Sequence, residues 1–268
     1  MSPPRSAAAL EVLVVTGGRR FARDPFFEML DSIEDASFTH VEHPAAELFF
    51  DPERGRRYDA FLLFDVPGVE CAGAEVRFHR PSKALMDGFQ ALLDAGQGMV
   101  FLHHAIAGWP TWAGYGSIVG ARFLLAPARV RGVDYPESGV RRGVRHRVTP
   151  AVSGHPVLEG LEHGFEIEDE VYLCPLFAGD VTPLLASDAS FDDADFRPVT
   201  ASLAGRDASR EGWSHPQGSP LVAWTQRRGQ SALVTVTCGD GPPAWTNPGL
   251  RRLLANALHW AATASRVA

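Results

Sequence analysis

Alternating strand and helix patterns in the first hundred residues restrict the fold more than any other feature of the chain. The apolar run 11–16 ends at the glycine pair 17–18. Apolar residues then recur at helical spacing over 26–33, after Asp24-Pro25, which suits an N-cap and a first helical position. Repeated βα units of this length predict a parallel sheet covered by helices on both faces. The strand and helix patterns that repeat the unit are 38–43, 58–64, 85–93 and 99–102.

The second half of the chain is less regular, but three elements are recognisable. The runs 220–226 and 231–237, joined through 227–230, predict a β-hairpin, and a final helix runs from about Pro248 to Trp260. No linker or internal repeat divides the chain. We therefore predict one α/β domain over residues 1–268, with a doubly wound, mostly parallel, flavodoxin-like sheet and with residues 1–10 as a flexible tail.

Composition excludes several classes of function. The formal charge is −7, with 25 basic against 32 acidic residues, which disfavours a nucleic-acid partner. No apolar stretch reaches the roughly 20 residues of a membrane helix, and the N-terminus lacks the apolar core of a signal peptide. The three cysteines have no metal-binding or disulfide spacing. We therefore expect a cytoplasmic protein with neither a membrane nor a nucleic-acid partner; homo-oligomerisation is left open.

The strand pattern 99–102 leads directly into His103 and His104. Ligands of open α/β sheets bind at the carboxyl ends of the strands, and two histidines there can supply acid and base groups or metal ligands. Because adjacent strand residues point to opposite faces, we expect only one of the pair to enter the site. A divalent metal stays an alternative, but the expected cofactor is none. No serine or cysteine occupies this turn, so covalent catalysis is disfavoured.

Other candidates lie at the ends of neighbouring patterns. Asp169 and Glu170 precede an apolar run, where a carboxylate can orient a histidine or act as the second acid/base group. The turn Gly17-Gly18 is too poor in glycine for a nucleotide-binding loop, yet it borders the same predicted crevice. Aromatic residues near the histidines suit stacking on a sugar ring, with core packing as the equal alternative. The predicted substrate-binding residues are Gly17, Gly18, Arg19, Asp65, Trp109, Trp112, Tyr115, Tyr172, Asp240 and Trp245.

Several short motifs, taken together, are similar to those of one family. The most specific are Phe101-Leu102-His103-His104-Ala105 and Asp169-Glu170-Val171-Tyr172. On these motifs the sequence resembles the ThuA-like, or trehalose-utilisation, family over nearly its whole length. Further matching residues are Val14 to Gly18, Trp112, Tyr115, Gly120, Phe123, His155 to Val157, Gly239 to Gly241, Asn247-Pro248 and Leu254 to Trp260.

The resemblance implies a fold like that of class I glutamine amidotransferases, without their nucleophile. It also implies a role in sugar metabolism, often beside dehydrogenases that make 3-keto sugars. The chain departs from the family pattern at Arg19-Arg20 and at Gly239-Asp240, where many relatives carry histidine. If those histidines bind metal in the relatives, the departures disfavour a metal site here.

The combined prediction is an enzyme that cleaves or isomerises a sugar or keto-sugar derivative by general acid/base chemistry. Its catalytic residues would be His103, His104, Asp169 and Glu170, with Arg19 contacting a developing oxyanion. Two alternatives stay open. One is a non-catalytic sugar-binding or interaction module, and the other is a metal-dependent hydrolase that uses a histidine with an acidic residue.

Overall fold

The computed structural model describes residues 9–72, 75–206 and 209–265. Residues 1–8 of the predicted tail lie outside this range, and Leu10 already belongs to the first strand. The strands are β1 (Leu10–Gly17), β2 (Ala36–Glu42), β3 (Ala60–Asp65), β4 (Val69–Ala72), β5 (Glu75–Phe78), β6 (Gly98–Leu102), β7 (Ala128–Val130), β8 (Val133–Tyr135), β9 (Gly139–Pro150), β10 (Phe165–Leu173), β11 (Thr182–Ser187), β12 (Arg197–Pro198), β13 (Leu221–Arg228) and β14 (Ser231–Val236).

Seven α-helices and several short 3₁₀ turns connect these strands within the described ranges. Ser82 caps the third helix by accepting a hydrogen bond from the N–H of Leu85. The first helix begins one residue earlier than Asp24, and its N-cap, Ala22, offers no side-chain bond. The helices are α1 (Arg23–Asp31), α2 (Pro52–Gly55), α3 (Lys83–Asp94), α4 (Ala113–Val119), α5 (Val199–Leu203), α6 (Pro242–Trp245) and α7 (Pro248–Ala264).

The described strands form one large sheet and two small hairpins. The large sheet runs in the order β10-β9-β11-β13-β14-β6-β3-β1-β2, with β12 beside β9. Strands β2, β1, β3, β6 and β14 pair in parallel, whereas the remaining pairs are antiparallel. The predicted hairpin is confirmed as β13 and β14, and it joins the parallel half through β14.

Helices cover both faces of the parallel strands, so the prediction of a doubly wound α/β fold is confirmed. On β1, Val12 and Val14 pack into one apolar cluster together with residues of α1 and α7. Leu13 and Val15 pack into a second cluster with residues of α3 and α4. Burial on two faces explains why these strands are continuously apolar rather than alternating. No helix among the described residues has the length and apolarity needed to cross a membrane.

The antiparallel half of the sheet curls over the carboxyl ends of the parallel half. Five inter-strand steps separate β10 from β6, which is roughly 24 Å for a flat sheet at about 4.8 Å per step. The Tyr172 hydroxyl on β10 nevertheless lies 2.5 Å from Nε2 of His103, directly after β6. The pairing of β10 with β9 is also irregular between Asp169 and Val171. Such irregularities bend strands and redirect side chains beside functional sites.

Candidate functional site

His103 and His104 lie in a 3₁₀ turn, His103–Ala107, that begins where β6 ends. His103 has a φ of 50°, in the left-handed region that few side-chain-bearing residues adopt. Neither residue is on the strand, so the alternation of strand side chains does not determine where the two rings point. Their ring centroids are 5.6 Å apart, and both rings face the same polar cluster.

His103 is fully buried, and its two ring nitrogens have different partners. Nδ1 lies 2.7 Å from the carbonyl oxygen of Thr237. Because a carbonyl only accepts, Nδ1 carries a proton whatever the charge of the ring. The proton that His103 gains or loses is therefore the one on Nε2. That nitrogen faces the Tyr172 hydroxyl at 2.5 Å, the Asp240 carboxylate at 3.2 Å and the Glu170 carboxylate at 3.5 Å.

These contacts make His103 a cation at neutral pH. Burial alone would lower its pKa, but the hydrogen bonds with Asp240 and Glu170 outweigh burial and raise the pKa to about 9. Burial acts on both carboxyls in the opposite direction, but the bond and the charge of His103 hold the pKa of each below its ordinary value. Burial and the Glu170 charge raise the pKa of Tyr172, so its hydroxyl keeps its proton.

His104 is the neutral partner of this pair. Burial and then the positive charges of His103 and Arg19 lower its pKa well below the ordinary value. Its ring contacts the ring of Phe64 at a centroid distance of 4.1 Å. Nδ1 is buried and has no hydrogen-bond partner among the described residues. The two adjacent histidines thus differ in charge, and different charges are what an acid and a base require.

The acidic pair 169–170 divides into two roles. Glu170 contacts the Arg142 guanidinium at 2.9 Å and that of Arg19 at 3.9 Å, besides facing His103. The Asp169 carboxylate instead accepts bonds from the backbone N–H groups of Gly239, Asp240 and Glu170 itself. Asp169 therefore holds the loop after β14 in place and does not point at the cavity.

A small cavity of about 90 Å³ lies against this cluster. His104, Glu170, Tyr172, Arg19 and Arg142 form its polar end, and apolar residues from five segments form the rest. The cavity continues into an open groove of about 820 Å³. Both spaces share Gly18, Arg19, Arg142 and Leu203. The apolar residues are Val66, Val69, Ala107, Phe123, Leu125, Val140, Val199 and Leu203.

The glycine pair after β1 allows the chain to pass close to the end of β3. Gly18 has a φ of 79°, and a Cβ there would lie 2.3 Å from the Val66 carbonyl oxygen. No side chain fits at this distance, so the turn needs glycine for its geometry. Gly17 and Gly18 both line the groove, which agrees with the predicted position of the turn.

The structure brings together seven of the predicted site residues that carry side chains and places the other five in supporting positions. His103, His104, Glu170, Tyr172, Arg19 and Asp240 form the polar cluster, and Asp169 anchors it. Tyr115 donates its hydroxyl proton to the Ala105 carbonyl of the histidine turn. Trp245 donates Nε1–H to the Gly239 carbonyl.

The other supporting residues line neither the cavity nor the groove. Trp112 packs against the ring of Phe89, and Trp109 lies buried with its carbonyl bonded to Arg122. Asp65 is buried and accepts a hydrogen bond from Nε2 of His43 at 2.8 Å. Core packing, the stated alternative for the aromatic residues, is thus the arrangement observed.

Sequence reasoning missed the arginines and the apolar wall. Arg142, unlike Arg19, was not among the predicted site residues, and the groove also contains Arg20, Arg23 and His43. His43, which follows β2, was not among the predicted site residues, and it bonds to Asp65. His43 also lines the groove. The available signal for Arg142 was the series of basic residues over 141–147, which pair with the acidic residues of the antiparallel neighbour β10.

His103, His104 and Asp240 also satisfy a geometric test for metal binding. Each offers one ligand atom, and these atoms all lie within 4.8 Å of one another. Two imidazoles and a carboxylate are a donor set that Zn²⁺ accepts. The Arg19 guanidinium lies 2.9 Å from the same Asp240 oxygen that faces His103, so a metal would compete with this cation.

The sequence matches the ThuA family, described as trehalose utilisation, over residues 11–261. The chain belongs to the ThuA family. A ThuA-like protein from Parabacteroides merdae has a TM-score of 0.68 at 15% identity, covering 95% of this chain and 90% of its own. A second from Bacteroides uniformis has a TM-score of 0.62 at 16% identity, covering 97% and 95%.

These comparisons confirm the predicted family and fold. At such identities the structural likeness establishes the fold alone, whereas the family description associates the chain with carbohydrate metabolism. A cytoplasmic protein from Salmonella typhimurium is also similar, with a TM-score of 0.54 at 10% identity, covering 94% of this chain and 99% of its own. No functionally curated protein matches the chain.

Proposed function

We propose that this ThuA family member is an enzyme that moves a proton on a carbohydrate derivative carrying a carbonyl group. The observation that carries the proposal is the pairing of a neutral His104, which lines the cavity, with a cationic His103, which contacts the Tyr172 hydroxyl. Environments that separate the pKa values of two neighbouring groups identify the acid and the base of a site. The family description supplies the substrate class, and a keto sugar is the member whose C–H bonds such a base can ionise.

His104 is the base in this proposal. Its neutral, unpartnered Nδ1 accepts the proton from the carbon next to the carbonyl group. The electron pair of that C–H bond then forms the carbon–carbon double bond of an enol, and the carbonyl oxygen gains the displaced pair. Positioned general bases contribute about 10²–10⁴-fold to such steps.

Tyr172 is the acid that reaches the substrate. Tyr172 lines the cavity, whereas His103, which its hydroxyl contacts, is fully buried and does not. The Tyr172 O–H gives its proton to the carbonyl oxygen, and Nε2–H of His103, at 2.5 Å, replaces it. Asp240 and Glu170 keep His103 charged for this transfer, so they and His103 are positioning residues. Arg19 lines both spaces and adds a positive charge beside the developing oxyanion.

The reaction ends in one of two ways from the same enol. Return of the proton to the former carbonyl carbon, with loss of the O–H proton from the hydroxyl on the deprotonated carbon, forms a carbonyl at that carbon and isomerises the keto sugar. Expulsion of an oxygen substituent from the carbon next to the deprotonated one cleaves it, and the leaving oxygen then takes a proton. Both outcomes use the same base and acid. The site therefore supports acid/base chemistry without selecting between isomerase and lyase.

Incubation with a panel of sugars and 3-keto sugars, followed by product analysis, tests the proposal. We expect turnover of a keto sugar with exchange of its α-proton in D₂O. His104→Ala and Tyr172→Phe should each lower kcat by at least about 100-fold. His79→Ala is the matched control, because the His79 side chain is exposed and its ring bonds to Glu70 rather than to any residue of the cavity. Binding of keto sugars without exchange or turnover would refute the enzyme and favour a binding module.

A metal-dependent hydrolase is the second candidate, favoured by the grouping of His103, His104 and Asp240. A bound Zn²⁺ would supply an activated water there. Elemental analysis after dialysis against Zn²⁺ or Mn²⁺ tests it. Stoichiometric metal that His104→Ala abolishes would support this candidate. Substoichiometric metal, together with turnover that survives chelation, would eliminate it.

A further inference from the structure

The groove outside the cavity is lined mainly by cationic side chains. Arg19, Arg20, Arg23 and Arg142 line it, and Glu42 is its one acidic lining residue within the described chain. This accumulation contrasts with the formal charge of −7 for the whole protein. His43 also lines the groove, and its bond to the Asp65 carboxylate raises its pKa against the effect of burial.

The four arginines differ in how far they are already neutralised. Arg19 lies 2.9 Å from Asp240, Arg142 lies 2.9 Å from Glu170, and Arg23 pairs with Glu42. Arg20 is exposed and forms no ion pair or hydrogen bond with any described residue. An arginine without a counterion retains all five donors for a ligand, and its planar fork matches the oxygens of a phosphate or carboxylate.

The position of the groove relates this charge to the reacting group. Arg19 and Arg142 line both spaces, so a ligand with its carbonyl at His104 extends past them into the groove. The cavity of about 90 Å³ has room for only part of a sugar, since one water takes about 30 Å³ in the liquid. The remainder of the substrate, outside the cavity, therefore meets Arg20.

We propose that the substrate is an anionic carbohydrate derivative, a sugar phosphate or a sugar acid, whose anionic group binds Arg20 in the groove. This proposal rests on the proposed function for the identity of the reacting end. Phosphate and carboxylate share the oxygen geometry that a guanidinium recognises. The anion and the reacting carbonyl would then lie at opposite ends of one molecule, and the outer contact would hold the inner end in place.

Isothermal titration calorimetry at fixed ionic strength measures ligand binding and tests the proposal without requiring turnover. The probes are glucose, glucose 6-phosphate, glucuronate and inorganic phosphate. We expect glucose 6-phosphate or glucuronate to bind at least tenfold more tightly than glucose, which is about 1.4 kcal/mol. The preference should weaken as salt increases. Tighter binding of glucose 6-phosphate would indicate a sugar phosphate, and tighter binding of glucuronate would indicate a sugar acid.

Charge reversal at one residue provides the decisive comparison. Arg20→Glu should abolish the preference for the anionic sugar, whereas Arg57→Glu should change it less than twofold. Arg57 is also exposed and also without an ion pair to the described residues, but it precedes β3, at the opposite end of the sheet. Equal affinities for glucose and its phosphate, or equal effects of the two variants, would overturn the proposal. Either result would leave the proposed function standing, because turnover is tested separately with the His104 and Tyr172 variants.

Discussion

Replacing Asp240 by Asn tests whether neighbouring carboxylates set the charge of His103. The rise in its pKa from 6.5 to about 9 corresponds to ~3 kcal/mol in favour of the imidazolium, at about 1.4 kcal/mol per unit. Asp240 is the nearer of the two carboxylates, at 3.2 Å against 3.5 Å for Glu170. The carboxylates of Asp240 and Glu170 contribute similarly to the raised pKa of His103. Removing the Asp240 charge should therefore lower that pKa by about one unit or more, because burial still disfavours the imidazolium.

Histidine NMR across the range from about pH 5 to pH 10 measures this change directly. The control is Asp134→Asn, because Asp134 is an exposed carboxylate on β8 that pairs with Arg129. We expect the control to leave the titration of His103 unchanged. If the pKa of His103 stays near 9 in the Asp240 variant, the Asp240 carboxylate does not keep His103 charged. That outcome would refute the role of this contact in preparing His103 to replace the Tyr172 proton.

The same shift predicts how stability depends on pH. The folded-state pKa of His103 exceeds its unfolded value, so its contribution is complete below about pH 6.5 and is lost as pH rises through about 9. That loss amounts to at most ~3 kcal/mol of unfolding free energy in the natural protein, and to less in the Asp240 variant. Chemical denaturation at about pH 6 and pH 9.5 gives both values. Equal losses in the two proteins would contradict the linkage.

Three further substitutions test the supports of the site, each by chemical denaturation. Gly18→Ala should cost about 1–3 kcal/mol, because its φ is 79° and its new Cβ would meet the Val66 carbonyl at 2.3 Å; a cost under about 0.5 kcal/mol would count against the tight turn. Tyr115→Phe should cost about 0.5–1.5 kcal/mol, since it removes one of the two hydrogen bonds that the Ala105 carbonyl accepts, the other coming from the Gly108 N–H, and an unchanged midpoint would argue against the Tyr115 bond. Asp169→Asn should cost about 2–4 kcal/mol and lower kcat, because its carboxylate accepts three backbone N–H groups; a loss of kcat at full stability would instead place Asp169 in the chemistry.

Local patterns were enough to predict the parallel half of the fold. The apolar runs that became β1, β3 and β6 are continuous because both faces are covered, and the hairpin of β13 and β14 follows from two apolar runs around a glycine turn. The carboxyl-end rule then placed His103, His104 and the glycine turn at one edge. Each of these inferences uses residues that are near each other in the sequence or that share a strand direction.

The partners of His103 could not be obtained in this way. Thr237 is 134 positions away in the chain, and Tyr172 is 69 positions away on a strand at the far side of the antiparallel half. Bringing Tyr172 over β6 requires the sheet to curl, and the irregular pairing near Glu170 that accompanies the curl has no pattern in the sequence. The aromatic residues were ambiguous for a related reason, because composition does not distinguish a ring at a cavity from a ring beneath it.

The hydrogen bonding of the buried cluster indicates where a ligand should bind. His103, Asp169, Glu170 and Tyr172 are all buried, and each has a polar partner that offsets the cost of removing it from water. Nδ1 of His104 differs, since it is buried beside them without a partner in the described chain. An unpaired buried acceptor costs about 1–3 kcal/mol, and a polar hydrogen could offset that cost, but the proposed substrate brings a C–H bond. Taking up the substrate proton does not lower this cost, because burial and the positive charges of His103 and Arg19 keep the pKa of His104 low. His104 therefore holds the proton only during the reaction and passes it on, as a base that transfers a proton within one substrate must.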